Sequence, residues 1–174
     1  MERLLLSLMA LLMVATAGAQ SSPEGKARVT EIRKMYVEAK EIISNKKKAE
    51  LPLDETVVTS SYMAPGAGPI KDVTRYYYTG EFDENLGNVY YTPYFITRKY
   101  NVGAREYYEE FLFDKSGLAF YYCKSDNDET RYYWGANGFF HEMIKGQKQM
   151  DEVFASRLAN DLTEAFHRLM NREY

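Results

Sequence analysis

The chain has 174 residues, of which 45% are apolar and 27% are charged, with 22 basic against 25 acidic side chains. This near-neutral composition, with 16 Tyr and 9 Phe, excludes a disordered chain and does not predict nucleic-acid binding. One domain is the expected number at this length. Because Cys123 is the only cysteine, an internal disulfide is excluded and packing must stabilise the fold.

The first 19 residues have the pattern of a secretory signal peptide. Arg3 supplies a basic start, residues 4–14 form an apolar run, and Ala-Gly-Ala at 17–19 fits the small-x-small cleavage rule. A membrane span needs about 20 apolar residues, so this run is too short to be one. We therefore predict cleavage near Ala19 and export of residues 20–174 as one soluble domain, periplasmic or extracellular, without a membrane span. No cysteine stands at the cleavage point, so a lipid anchor is not expected.

An amphipathic helix is predicted at each end of the mature chain. Apolar residues recur at steps of three and four over about 22–46 and again over about 149–171, which is the period of a helix face. In the first helix the stripe contains Val29, Ile32, Tyr36, Ala39 and Ile43. In the second it contains Phe154, Leu158, Leu162, Ala165 and Leu169.

The region between the helices, about 55–145, is rich in Tyr, Val, Thr and Phe and is interrupted by turn residues, which predicts strands. The predicted segments are 56–62, 73–79, 89–100, 105–113, 118–124, 130–134 and 139–144. Short connections favour an antiparallel meander. Residues 64–69 contain several strand breakers, and we interpret them as a surface connection or a binding loop.

We therefore predict an α+β fold with a single antiparallel meander sheet of five to seven strands. Its N-terminal and C-terminal helices are expected to pack mainly on one face, leaving the other face open or partly covered. A cystatin-like arrangement is an analogy for this fold. A β-barrel or sandwich with peripheral helices is the alternative.

Two turns predict which residues share a face of the sheet. If Asp114 to Gly117 is a two- or four-residue hairpin loop, Phe113 pairs with Leu118 and Phe111 pairs with Phe120. Tyr108, Glu110, Tyr121 and Cys123 then lie on the opposite face, whereas a three-residue bulged loop would shift this parity.

Asn137-Gly138 is a preferred type I′ turn pair, and it predicts a second hairpin. One face of that hairpin then contains Tyr132, Trp134, Phe139, His141 and Met143. The other contains Arg131, Tyr133, Phe140, Glu142 and Ile144.

The order of these features resembles that of a group of bacterial proteins. A leader without a lipid-attachment cysteine, a Lys-rich helix, tyrosine-rich strands with Phe113-Asp114-x-x-Gly117 and Arg131-Tyr132-Tyr133, and a closing helix resemble small uncharacterised secreted proteins of anaerobic gut bacteria. The resemblance implies export and an α+β fold, and it implies no particular activity.

No catalytic residue, metal ligand or cofactor site is predicted from the motifs. His141-Glu142 begins like a zinc-protease motif, but Lys145 stands where the second histidine should be. Adjacent carboxylates such as Glu109-Glu110 point to opposite faces of a strand, so they do not form a glycosidase pair. A small hydrolase with a cleft near His141 remains an alternative, as does a protein inhibitor or assembly subunit.

The tyrosine excess gives the leading functional hypothesis. Tyr combines an apolar ring with a polar hydroxyl, which suits a sheet face that also contacts a ligand. We predict a ligand-binding face formed by Tyr108, Tyr121, Arg131 and Tyr133, with a glycan, peptide or protein as partner and no nucleic acid. The competing interpretation is that strand propensity and ordinary packing explain these tyrosines.

Overall fold

The computed structural model of the chain describes residues 23–45, 53–135, 138–145 and 151–171, with 138–145 described by their backbone. The predicted signal peptide lies outside the described residues. The helices are α1 (Pro23–Ser44) and α2 (Glu152–Met170). The strands are β1 (Asp54–Ala64), β2 (Gly68–Asp83), β3 (Asn88–Val102), β4 (Arg105–Asp114), β5 (Gly117–Ser125), β6 (Glu129–Gly135) and β7 (Gly138–Lys145).

The seven strands form one antiparallel sheet in sequential order, with β1 and β7 at its edges. This confirms the predicted α+β class and the meander, and every predicted strand segment lies inside an observed strand. The strands are longer than predicted because pairing continues up to the turns. Residues 64–69 are an example: Ala64 pairs with Gly68 across a tight turn, in which Gly66 has a φ of 77° that favours glycine.

The helices lie on opposite faces of the sheet, so the expected common face is wrong. On the α1 face, Ile32 and Ala39 of the helix pack against a cluster that includes Phe95 and Leu112. On the α2 face, Phe166 packs against the neighbouring strand residues, such as Ile96 and Phe111. Since successive strand residues point to opposite faces, β3 and β4 present apolar side chains on both sides. Each side therefore needs its own helix.

Helix α1 presents the stripe that its sequence predicts and is fixed to the sheet near its N-terminus. The guanidinium of Arg28 forms an ion pair with Asp114 and donates a hydrogen bond of 3.2 Å to the carbonyl of Trp134. From there the helix runs across the sheet towards β3, where Lys40 lies over the ring of Phe95. Its C-terminal half consequently ends above the middle of the sheet.

Helix α2 uses a face shifted from the predicted stripe. Ala155, Ala159 and Phe166 are buried, whereas Phe154, expected on the stripe, is half exposed. Asp151 begins the helix, with its carboxylate accepting a hydrogen bond of 2.7 Å from the amide of Phe154. The small side chains of the two alanines permit close packing of the helix against the strand residues of this cluster.

A β-bulge in the β4–β5 hairpin explains why the predicted pairing of Phe111 with Phe120 is wrong. Phe113 pairs with Leu118 as predicted, but the register then shifts, so that Leu112 pairs with Phe120 and Phe111 pairs with Tyr121. The shift leaves an extra residue, Ala119, on β5. Phe111 and Tyr121 therefore share the α2 face, whereas Phe120 lies on the α1 face.

The β6–β7 hairpin has the predicted facing, because Tyr132 pairs with His141 and Trp134 pairs with Phe139, so these residues share one face. Gly138 pairs with Gly135 and therefore belongs to β7, not to the turn as predicted. Neither helix among the described residues is long and apolar enough to cross a membrane.

Candidate functional site

Helix α1 covers one apolar row of the sheet and leaves two neighbouring rows partly open. The first of these rows consists of Arg75, Thr97, Glu110, Tyr122 and Arg131, which lie side by side on β2 to β6. The second consists of Val73, Lys99, Tyr108, Lys124 and Glu129. All of these side chains are exposed or half-buried except Glu110. We call this surface the open rows of the α1 face.

Glu110 lies at the centre of the open rows and is only 1% exposed. Its carboxylate accepts hydrogen bonds from the hydroxyl of Tyr36 at 2.5 Å, the ammonium of Lys40 at 2.5 Å and the hydroxyl of Tyr108 at 2.7 Å. A buried carboxylate requires such donors, because an unpaired buried charge is strongly unfavourable. The three contacts fix the C-terminal half of α1 and the ring of Tyr108 with respect to the sheet.

The tyrosines around Glu110 remain protonated far above neutral pH. Burial raises the pKa of Tyr36 and of Tyr108, and the adjacent Glu110 carboxylate raises both further. Burial and then Glu129 raise the pKa of Tyr122 to about 12. These hydroxyls therefore act as neutral hydrogen-bonding groups at neutral pH.

A cleft of about 450 Å³ opens between the C-terminal half of α1 and the strands β2 to β4. Phe95 and Tyr77 form an apolar floor, with Ile43 and Val73 beside them. The polar part of the wall contains Lys40, Arg75, Thr97, Lys99 and Tyr108. Its volume is within the range of small-molecule sites, which are clefts with an apolar lining and a few polar groups.

Two of the four predicted binding residues lie on this surface. Tyr108 lines the cleft, and Arg131 lies farther along the same face, with its guanidinium 5.7 Å from the ring centre of Tyr122. Both share the α1 face with Glu110, as the strand alternation predicts. Arg131 also lies 3.8 Å from the carboxylate of Glu129.

The other two predicted residues belong to the core. Tyr133 is on the α1 face but is 1% exposed beneath the helix, where it packs against Phe120 and accepts a hydrogen bond from Arg33 at 3.3 Å. Tyr121 is fully buried on the opposite face, because the bulge at Ala119 reverses its expected orientation. The four predicted residues therefore do not lie together on one exposed face.

Tyr121 contributes instead to a second buried carboxylate site on the α2 face. Glu109 is 0% exposed, accepts a hydrogen bond of 3.0 Å from Tyr121 and lies 3.5 Å from the guanidinium of Arg98. Arg98 also binds Asp72 through two nitrogens. Burial raises the pKa of Glu109, although Arg98 acts in the opposite direction. Every buried polar side-chain atom in the described part of the chain has a partner, so this site is a closed structural network.

Cys123 is also buried on the α2 face, on the same side as Phe111, so its predicted position on the opposite face is wrong. Burial raises the pKa of its thiol to about 11. The side chain therefore stays a neutral thiol at neutral pH and lacks the thiolate character of a nucleophile.

Sequence reasoning missed the contribution of α1 to the site. Lys40 follows Tyr36 by four residues, so both lie on one side of the helix. From the sequence alone, however, Lys40 is interpreted as part of a solvated basic surface. A second signal was available in β4, where Glu109 and Glu110 immediately precede three consecutive apolar residues. A strand covered on both faces places both carboxylates in the interior, and each then requires a donor from a neighbouring element.

The side chain of His141 lies outside the described residues, so the predicted alternative of a hydrolase cleft near it stays a prediction. Within the ranges that the structure describes, no group of three or more His, Cys, Asp or Glu side chains is arranged to hold a metal ion.

Comparison of the chain with protein-family models, with curated proteins and with solved structures finds no match.

Proposed function

We propose that this chain is an exported, non-catalytic binding protein, and that the cleft on the α1 face receives its ligand. The observation that carries the proposal is the half-open aromatic and cationic surface between α1 and β2 to β4, described above. Its floor is apolar and its wall offers hydroxyl, ammonium and guanidinium donors. This combination is typical of ligand sites, in which burial supplies affinity and a few polar groups supply orientation.

The rigidity of the wall supports this proposal. Lys40 and Tyr108 both donate to the buried Glu110, so two wall residues are held in place before any ligand arrives. A preorganised site loses less side-chain entropy on binding than a site that must first become ordered. The ion pair and the hydrogen bonds therefore favour ligand capture as well as stability.

A ligand screen with a blocked variant tests the proposal. Small molecules, short peptides and glycans are screened for a rise in the unfolding temperature of the purified protein, since a ligand that binds only the folded state stabilises it. Thr97→Trp places a large side chain in the cleft and should abolish the rise. Ser60→Trp, on the exposed edge strand β1, is the matched control and should retain it. If every ligand that stabilises the wild type also stabilises Thr97→Trp, the cleft is not the binding site.

Export is proposed from the leader at residues 1–19, and the resemblance to small secreted proteins of anaerobic gut bacteria supports it. Residues 1–22 fused to a reporter should direct it across the inner membrane. Mass spectrometry of the native product should find an N-terminus near Gln20. If the native product still carries residues 1–19, this proposal is overturned.

A further inference from the structure

The charged residues that line the cleft are all of one sign. Of the described residues that line it, Lys40, Arg75 and Lys99 are cations and none is a carboxylate. The cations do not occupy equivalent positions. Lys40 is held by the buried Glu110, whereas Arg75 and Lys99, the outer two cations, pair with the partly exposed carboxylates of Glu55 and Glu106.

The outer two cations can exchange their present partners for a ligand. Arg75 lies 3.1 Å from Glu55, and Lys99 lies 3.1 Å from Glu106. All four side chains are partly exposed, and ion pairs of this kind contribute only about 0 to 1 kcal/mol. A ligand anion that is partly withdrawn from water experiences a stronger attraction, because the effective dielectric constant is lower there.

The sheet register places the outer two cations where one anion can reach both. Arg75 pairs with Thr97, and Lys99 is the next residue of β3 on the same face. The two cations are therefore diagonal neighbours, a separation that long side chains span easily. The anion would lie over Thr97 at the mouth of the cleft.

The interior of the cleft suits an aromatic group. Phe95 and Tyr77 form the floor, and the ring of Tyr108 lies on the wall. Lys40 lies 5.7 Å from the ring centre of Phe95, so the ammonium and the ring form a fixed pair beside the space available to the ligand. Aromatic rings pack favourably against such surfaces in offset or edge-to-face geometry.

From these observations we infer that the cleft binds a small aromatic acid, with its carboxylate or sulfonate between Arg75 and Lys99 and its rings on Phe95 and Tyr77. This inference rests on the proposed function and specifies its ligand class. The anionic group determines selectivity, and the apolar floor supplies most of the buried area.

Two fluorescent probes that differ in one group separate the contribution of the anionic group to binding from that of the aromatic rings. The probe 8-anilinonaphthalene-1-sulfonate carries an anionic sulfonate, and N-phenyl-1-naphthylamine has the same ring system without it. The purified protein should bind the sulfonate at a single saturable site and at least tenfold more tightly than the neutral probe. Thr97→Trp should remove the site for both probes.

A charge variant and a matched control test the role of the two cations. Arg75→Gln with Lys99→Gln should weaken binding of the sulfonate at least tenfold and leave binding of the neutral probe unchanged. Lys115→Gln with Arg168→Gln makes the same change in net charge in a turn and on α2, and should alter neither. Near-ultraviolet circular dichroism must match the wild type in each variant, because such dyes also bind partly unfolded proteins.

The outcomes distinguish the ligand class from the binding function. If both probes bind equally well in the cleft and the charge variant changes neither, the acid preference is wrong and the cleft still acts as an apolar binding site. If neither probe shows saturable binding that Thr97→Trp removes, the aromatic-acid inference is wrong. The binding function is then decided by the wider screen with the same variant.

Discussion

Glu109 and Glu110 are adjacent residues that occupy opposite sides of one strand, and they show how the two faces of the sheet differ. Glu109 faces α2 and belongs to a closed network with Arg98, Asp72 and Tyr121. Glu110 faces α1 and fixes side chains that line an open cleft. Both carboxylates are buried, but only the second one organises a surface that a ligand can reach. The two buried polar networks thus have different surroundings: the one on the α2 face lies within the core, and the one on the α1 face borders an open cleft.

The largest effects are expected where a helix covers apolar side chains of the sheet, on either face. Phe111→Ala removes a buried ring from the α2 face, and Phe120→Ala removes one from the α1 face. Each should lower the free energy of unfolding by about 3 to 5 kcal/mol, because each leaves a cavity beneath a helix. Urea denaturation measures both. A loss at Phe120 far smaller than the loss at Phe111 would show that α1 does not close its face.

Removal of the cation should affect the two carboxylate sites unequally. Arg98→Met leaves Asp72 and Glu109 without their shared guanidinium and should cost about 3 kcal/mol. Lys40→Met should cost about 1 to 2 kcal/mol, because Lys40 is half exposed and Glu110 retains the hydroxyls of Tyr36 and Tyr108. Equal losses in urea denaturation would contradict the distinction between a closed and an open site.

The closed site should produce its own pH dependence. Because burial raises the pKa of Glu109 in the folded state, ionisation of this residue opposes folding. Its contribution to stability is complete below the ordinary glutamate pKa of about 4.3 and declines as the pH rises through the raised value. The unfolding free energy of the wild type minus that of Glu109→Gln should therefore decrease as the pH rises from about 4.3 through the raised pKa of Glu109. A difference that stays constant or increases would contradict the raised pKa.

The smallest effect on stability is expected at the edge of the open rows. Arg131→Ala should change the free energy of unfolding by no more than about 0.5 kcal/mol, because the side chain is partly exposed and its ion pair with Glu129 is long. Thermal and urea unfolding provide the measurement. A loss above about 1 kcal/mol would show that Arg131 belongs to the structural network of the α1 face and not to its solvent-exposed edge.

The pattern of the sequence was sufficient to predict the elements of the fold. Strand propensity and turn residues placed all seven strands, and the apolar stripe from Val29 to Ile43 correctly identified the buried side of α1. The Asn137-Gly138 signal likewise predicted which residues of β6 and β7 share a face, although not their register. These features are local, because strand alternation, helix period and turn geometry depend on residues close in the chain.

The tertiary structure decided three features of the protein. These are the bulge at Ala119, the placement of the two helices on opposite faces, and the cleft. A bulge inserts one residue and reverses the facing of the strand beyond it. Tyr121 therefore lies in the core and not on the predicted binding surface. The sequence specified a carboxylate at Glu110, but only packing brought Tyr36 and Lys40 to it from about 70 residues away. The physical reason is that a buried charge is satisfied by whichever donors the assembled layers place beside it, and no local pattern encodes that choice.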